Sequence, residues 1–123
     1  MIPLLTGLKV TELNLSHESS MDNLPLIWKN FSREGYATFY SEDAPQYSTF
    51  NYLLRGFSKQ PTDHYMRPFQ LGLYMSVKMN YSKITEYCYN GKTRHAIQIN
   101  YLKQFLQEYT GKRRFALFMA RCH

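Results

Sequence analysis

The stretch Gly35-Tyr36-Ala37-Thr38-Phe39-Tyr40-Ser41-Glu42-Asp43 decides the fold of this 123-residue chain. Its aromatic and β-branched residues predict a strand over residues 36–40, which ends at the acidic pair that follows. Gly35 is suited to end a helix in the left-handed conformation. That helix is predicted to begin near Asp22 or Asn23, since either side chain can cap it. A helix that leads directly into a strand is typical of an α/β fold.

The helix predicted before this strand carries one apolar face. Leu24, Ile27, Trp28 and Phe31 follow the i, i+3, i+4, i+7 spacing of an amphipathic helix. Pro25 fits the first turn, where its missing N–H costs little. We therefore expect Trp28 in the core.

The remainder of the chain predicts a second helix and strand. The clearest helix spans residues 93–109 and is predicted to end with Gly111 as its cap. The apolar run over 115–120 suits a strand that is covered on both faces. Shorter helices are predicted over 50–57 and 69–79. Two good strands are too few for a complete sheet, so the expected fold is a partial α/β layered domain.

Composition and charge narrow the class of protein. Hydrophobic residues make up 44% of the chain, which is globular composition. No apolar run reaches the ~20 residues that span a bilayer, and the start at Met1 lacks the features of a signal peptide. The net charge is +6, but the only tight basic run is 112–114, which reads as a solvated turn. No specific nucleic-acid-binding motif is present.

The oxidation state of the cysteines and the glycosylation of the asparagine triplets depend on the compartment in which the chain resides. Cys88 and Cys122 have no metal-site spacing. They would be thiols in a reducing compartment, whereas in a secreted chain they could pair with each other or with other cysteines. Asn14 and Asn80 begin triplets that could be glycosylated in the secretory pathway. Asn30 begins a third triplet but lies in the predicted helix.

Two short motifs resemble the active-site signatures of sulfatases. Leu4-Leu5-Thr6-Gly7 is similar to the end of the first signature, and Gly35-Tyr36-Ala37-Thr38 to the start of the second. The resemblance places the nucleophile before Met1. It also aligns Glu42-Asp43 with the Gly-Lys of sulfatases, so that an acidic side chain stands where a lysine would contact an anionic ester. Thr6 is expected to cap local structure rather than to attack a substrate.

A longer likeness points to a single family. The chain resembles, from about Pro3 to Met119, an uncharacterised animal family known as domain of unknown function 229, in the alkaline-phosphatase and sulfatase-like superfamily. The matching segments are 26–29, 35–36, 42–43, 50–52 and, most specifically, Pro61-Thr62-Asp63-His64-Tyr65-Met66-Arg67-Pro68-Phe69. The resemblance implies a three-layer α/β/α sandwich. It also implies that residues 1–123 form one partial domain, an interior slice of an extracellular or secretory-pathway protein.

The resemblance implies chemistry for the parent protein rather than for this chain. Superfamily members hydrolyse sulfate or phosphate esters with bound Ca²⁺ or Zn²⁺. We expect no catalytic residue, metal ligand or cofactor in the chain, which would then be catalytically incomplete. The alternatives are a non-catalytic basic module that binds an anionic partner and a small intact cytosolic protein. The partner is not identified.

Three residues are the candidates for the edge of a site. Glu42 and Asp43 follow the first predicted strand, and α/β ligands bind outside the carboxyl ends of strands. His64 stands beside Asp63 in the family-like segment and could be an oriented base or ligand. Each has a structural alternative, as a turn residue or a packing histidine. The expectation is that Glu42, Asp43 and His64 face a common cleft.

Overall fold

Strand β1 (Ala37–Glu42) is the centre of a three-stranded parallel sheet. It pairs with β2 (His64–Tyr65) on one side and with β5 (Arg114–Met119) on the other, in the order β2-β1-β5. This computed structural model describes residues 1–13, 15, 19–78, 88–89 and 91–120.

Helices and one short hairpin complete the described fold. The hairpin pairs β3 (Cys88–Tyr89) with β4 (Lys92–Thr93). Single 3-10 turns lie at Met21–Asn23 and Pro45–Tyr47. The α-helices of the described residues are α1 (Ile2–Thr6), α2 (Val10–Leu13), α3 (Ile27–Arg33), α4 (Arg67–Lys78) and α5 (Arg94–Glu108). None of these helices has the length and apolar character needed to cross a bilayer.

The larger hydrophobic cluster covers the face of the sheet to which Tyr40 contributes. Trp28 of α3 stacks on Tyr40, with ring centroids 5.1 Å apart, and meets Phe50 edge-on at 5.9 Å. The buried members of this cluster are Leu5, Met21, Leu24, Leu26, Trp28, Tyr40 and Phe50. Helices α1 and α3 thus pack with the loop after β1 on one side of the sheet, and Trp28 is in the core as predicted.

Helix α5 covers the opposite face. Phe39 and Phe105 are buried there with their ring centroids 5.2 Å apart, and Ala37 completes the buried set. All six residues of β1 are buried, because both faces of this central strand are covered. A small parallel sheet with helices on both faces confirms the predicted α/β class.

Two predicted helix boundaries are wrong for local reasons. Helix α3 begins at Ile27 rather than near residue 22, because Leu24 precedes Pro25 and adopts an extended ψ of 142°. Gly111 does not cap α5, since Tyr109 ends that helix. Gly35, by contrast, has a φ of 82° directly after α3, which only glycine adopts without strain.

Other elements also differ from the prediction. Residues 50–54 form turns and a bend, and 55–57 are irregular, so no helix forms there. Strand β2 was not predicted, and its two residues are held by pairing with Phe39 and Tyr40 of β1. The predicted helix over 69–79 and the strand over 115–120 are confirmed as α4 and β5, each with shifted ends. Asn14, Asn80 and Cys122 lie outside the described residues, so glycosylation and the Cys88–Cys122 disulfide stay predictions.

Candidate functional site

The carboxyl end of β1 carries two buried acidic residues. Glu42 is 7% exposed and Asp43 is 5% exposed. Their contacts lie on opposite sides of the sheet, since Glu42 bonds to Thr49 of the loop after β1 and Asp43 bonds to His95 of α5. The two carboxylates therefore face opposite sides of the sheet.

Glu42 holds the loop that follows β1. Its carboxylate accepts hydrogen bonds from the backbone N–H of Thr49 at 2.7 Å and from the Thr49 hydroxyl at 2.5 Å. It also lines a small cavity of about 10 Å³ together with Tyr40 and Arg67. Neither the Tyr40 hydroxyl nor the Arg67 Nε has a hydrogen-bond partner among the described residues. Glu42 thus serves first as a structural acceptor.

Asp43 orients a histidine at the start of α5. The Nε2 atom of His95 lies 2.9 Å from Asp43 Oδ2, and the Asp43 side chain is 4% exposed against 42% for His95. Arg94 donates to the Asp43 backbone carbonyl at 3.1 Å. Thr93 caps the helix by accepting from the Ala96 N–H. A buried carboxylate that fixes an accessible imidazole is an arrangement suited to acid–base or ligand-binding work.

His95 is the residue that the sequence prediction missed. A usable signal existed, because a helix that leads into a parallel strand begins at the carboxyl edge of the sheet. Helix α5 leads into β5, which runs parallel to β1. The first turn of α5 must therefore lie near the end of β1, where Asp43 stands.

His64 lies away from this edge. It pairs with Phe39 in the middle of β1. Its ring bridges two tyrosine hydroxyls: Nδ1 is 3.1 Å from that of Tyr101 in α5, and Nε2 is 2.8 Å from that of Tyr109, which caps the C-terminus of α5. The structure does not bring Glu42, Asp43 and His64 together, so the expected common cleft is wrong. Whether any of the three acts in a site stays a prediction.

The family-like segment before α4 attaches β2 to β1. Asp63 Oδ2 accepts from the Thr38 N–H at 2.9 Å and from the Thr38 hydroxyl at 3.2 Å. The Asp63 N–H donates back to that hydroxyl at 3.0 Å. Thr62 donates its hydroxyl to the His64 carbonyl at 2.7 Å. The segment thus holds β2 in place, because a strand of two residues is too short to be stable by its own pairing alone.

We predict that Asp63→Ala lowers the free energy of unfolding by about 1–3 kcal/mol, because it leaves the buried Thr38 N–H without an acceptor. Asp63→Asn keeps an acceptor oxygen and should cost less. Urea unfolding followed by circular dichroism checks both. Equal stability of the alanine variant and the unchanged chain would show that the bond to Thr38 is not needed.

The first sulfatase-like motif forms a short capped helix. The Thr6 hydroxyl donates to the Ile2 carbonyl at 2.9 Å and accepts from the Leu8 N–H at 3.3 Å. Gly7 ends α1 with a φ of 71°, in the left-handed region. Thr6 therefore has the local structural role that was expected.

The described residues do not fit a metal site. They contain no group of three or more histidine, cysteine or acidic side chains placed to hold an ion, whereas zinc centres use at least three such ligands. Asp43 and His95 give two at most, and they bond to each other. No chemical step is therefore assigned to a metal within this chain.

Four of the described basic side chains donate hydrogen bonds to backbone carbonyls. Lys29 donates to Asp22, and Arg114 donates to Leu106. Arg67 and Arg94 do the same with Pro45 and Asp43. By contrast, Lys112 and Arg113 are exposed, and each lies 5.9 Å from the centre of a tyrosine ring. Further exposed basic side chains are scattered along the described residues, at Lys9, Arg33, Arg55, Lys59, Lys92, Lys103 and Arg114.

Comparison with known proteins gives one match. No curated protein and no solved structure matches the chain. A family model described as "Protein of unknown function (DUF229)" matches residues 1–122. This range includes the Asp43–His95 pair, the Asp63 segment and the whole sheet. The chain therefore belongs to the DUF229 family of proteins of unknown function.

Proposed function

We propose that the chain is a catalytically incomplete segment of a sulfatase-like or alkaline-phosphatase-like domain. The parent protein would be a secreted, metal-dependent hydrolase of sulfate or phosphate esters that uses Ca²⁺ or Zn²⁺. The chain would supply the centre of the sheet and one edge of the site, while nucleophile and metal ligands would come from other parts of the parent.

One observation carries this proposal. The two motifs that resemble sulfatase signatures lie far apart in sequence, yet Leu5 of the first and Tyr40, within the second, pack in the same buried cluster. A signature pair that forms one active site needs such proximity. The motif helix also ends in the left-handed glycine that the pattern requires.

The contacts of the two acidic residues at the end of β1 support the proposal that the chain is catalytically incomplete. Glu42 is bonded to Thr49, and Asp43 is bonded to His95. A carboxylate that aligns with the sulfatase lysine would repel an anionic ester. His95, which Asp43 orients, is then the residue of this edge best suited to approach a substrate.

Ester hydrolysis by a longer DUF229 protein that contains the equivalent segment tests the activity proposed for the parent. Such a protein should hydrolyse an aryl sulfate or an aryl phosphate in the presence of Ca²⁺ or Zn²⁺, and a chelator should remove that activity. A folded protein that turns over neither ester with either metal would contradict the proposal.

The exposed basic turn favours a second candidate function, a module that binds an anionic partner. Lys112 and Arg113 are accessible beside tyrosine rings, which suits contact with a polyanion. Because the remaining positive charge is scattered along the chain rather than collected in another basic run, we predict weak binding to heparin or DNA that disappears at moderate salt.

A titration of fluorescent DNA and of heparin, at two salt concentrations, checks this prediction. Lys112→Ala with Arg113→Ala should weaken this binding further. Micromolar affinity that persists above physiological salt, or that discriminates among DNA sequences, would instead establish the binding module.

A further inference from the structure

A cavity of about 330 Å³ lies beside β2, between the first turn of α4 and the middle of α5. Its walls are mainly apolar, and its mouth is open enough to leave Phe69 46% exposed. The lining side chains used below are Met66, Phe69, Ile97, Asn100, Tyr101 and Gln104. Neither Asp43 nor His95 lines it, so the cavity is a separate feature from the sheet edge.

The chemistry of the lining selects an uncharged ligand. Among the described residues that line the cavity, none carries a formal charge. Placing an ion against such walls costs free energy, because no opposite charge compensates for the lost water. An acid or an amine is therefore disfavoured relative to a neutral molecule of the same shape.

The walls also favour a flat aromatic group. Phe69 and Tyr101 present rings, and Met66 adds a polarisable thioether that contacts aromatic rings favourably. Asn100 and Gln104 stand one helical turn apart on α5, and each amide can both donate and accept a hydrogen bond. The apolar wall would hold the ring of a ligand, and the two adjacent amides would orient its polar edge by hydrogen bonds.

We propose that this cavity is a binding site for an uncharged aromatic molecule of one or two rings. Its volume lies at the small end of the ~300–1,000 Å³ found for ligand sites, which suits a ligand of this size. The proposal does not depend on the ester chemistry proposed above. Either can fail while the other holds.

The test uses indole as the probe and the full chain labelled with ¹⁵N. Indole should shift the Phe69 backbone amide and the Asn100 side-chain amide in a saturable manner, with a Kd of about 1 mM or tighter. Indole-3-acetate, which adds a negative charge to the same ring system, should bind at least tenfold more weakly. Absence of a saturable shift with indole, or equal affinity for the anion, would overturn the proposal.

A matched pair of variants locates the site. Gln104→Trp places a large ring in the cavity and should weaken indole binding at least tenfold. Gln107→Trp, at an exposed position of the same helix that does not line the cavity, should leave the Kd within about twofold. If the Gln104 variant is folded and binds indole as well as the unchanged chain, the cavity is not the site.

Discussion

Trp28→Ala is expected to destabilise the chain by about 3–5 kcal/mol, the usual cost of removing a large aromatic side chain from a core. Trp28 is 0% exposed and contacts Tyr40, Phe50 and Phe57 through their rings. Truncation would leave a cavity at the junction of α3, the sheet and the loop after β1. Such a loss is a large part of the stability of a small domain, so much of the variant should be unfolded.

Urea unfolding measures this effect by far-ultraviolet circular dichroism, since the chain contains only one tryptophan and the variant loses its fluorescence. Tyr52→Ala is the control, because that aromatic side chain is 55% exposed. It should change stability by less than about 1 kcal/mol. A loss below about 1 kcal/mol for Trp28→Ala as well would mean that this cluster does not form in solution.

The chain is also expected to lose stability as pH rises above 10. Burial raises the pKa of Tyr65 to about 12, with a further increase from the Glu42 carboxylate that Arg67 opposes. Burial likewise raises the pKa of Tyr40, and Glu42 adds to the increase. An unfolded tyrosine ionises near pH 10. The unfolded state therefore releases protons that the native state keeps, and the contribution to stability that is complete below pH 10 disappears as pH rises through 12.

The magnitude follows from proton linkage. Each tyrosine that stays protonated only in the native state lowers stability by about 1.4 kcal/mol per pH unit, so Tyr65 alone contributes about 3 kcal/mol between pH 10 and pH 12. Urea unfolding at a series of pH values should show a shallower decline for Tyr65→Phe than for the unchanged chain. Tyr52→Phe is the control. Identical slopes for both variants would contradict the burial of the Tyr65 hydroxyl.

The elements that sequence predicted well are those with a long local pattern. β1 and β5 are continuous apolar or β-branched runs, and α5 keeps a helical apolar face over fifteen residues. Their type is decided by residues within each element, so no tertiary contact is needed to infer it. The expectation that residues 115–120 would be covered on both faces is wrong, because β5 is an edge strand of the described sheet and none of its residues is buried.

The elements that were missed depend on distant contacts. β2 has only two residues, which pair with Phe39 and Tyr40 of β1, and its His64 bonds to Tyr101 and Tyr109. Residues 50–57 have apolar spacing that suits a helix, yet Phe50 and Phe57 instead insert into the cluster around Trp28. No local pattern encodes either result, because tertiary packing overrides propensity over such short segments.

The candidate site, like the fold, could be predicted from the sequence only in part. Topology correctly placed Asp43 at the carboxyl edge of the sheet, where its carboxylate meets His95. The alternation of side chains along a strand would also have placed Glu42 on the opposite face, but no local pattern could show that the His64 ring bonds to the hydroxyls of Tyr101 and Tyr109. Adjacent residues at a strand end point to opposite faces, so a pair of acidic residues rarely shares one cleft.

The most direct measurement for the central claim is ester hydrolysis by the purified chain itself. An aryl sulfate and an aryl phosphate would each be incubated with the chain in the presence of Ca²⁺, of Zn²⁺ and of a chelator. Because the proposal assigns the nucleophile and the metal ligands to other parts of the parent, and the described residues contain no group of three metal-binding side chains, we predict no turnover above the buffer control under any of these conditions. Metal-dependent turnover that survives repurification and is lost in Asp43→Asn would contradict the account, since Asp43 would then act on a substrate.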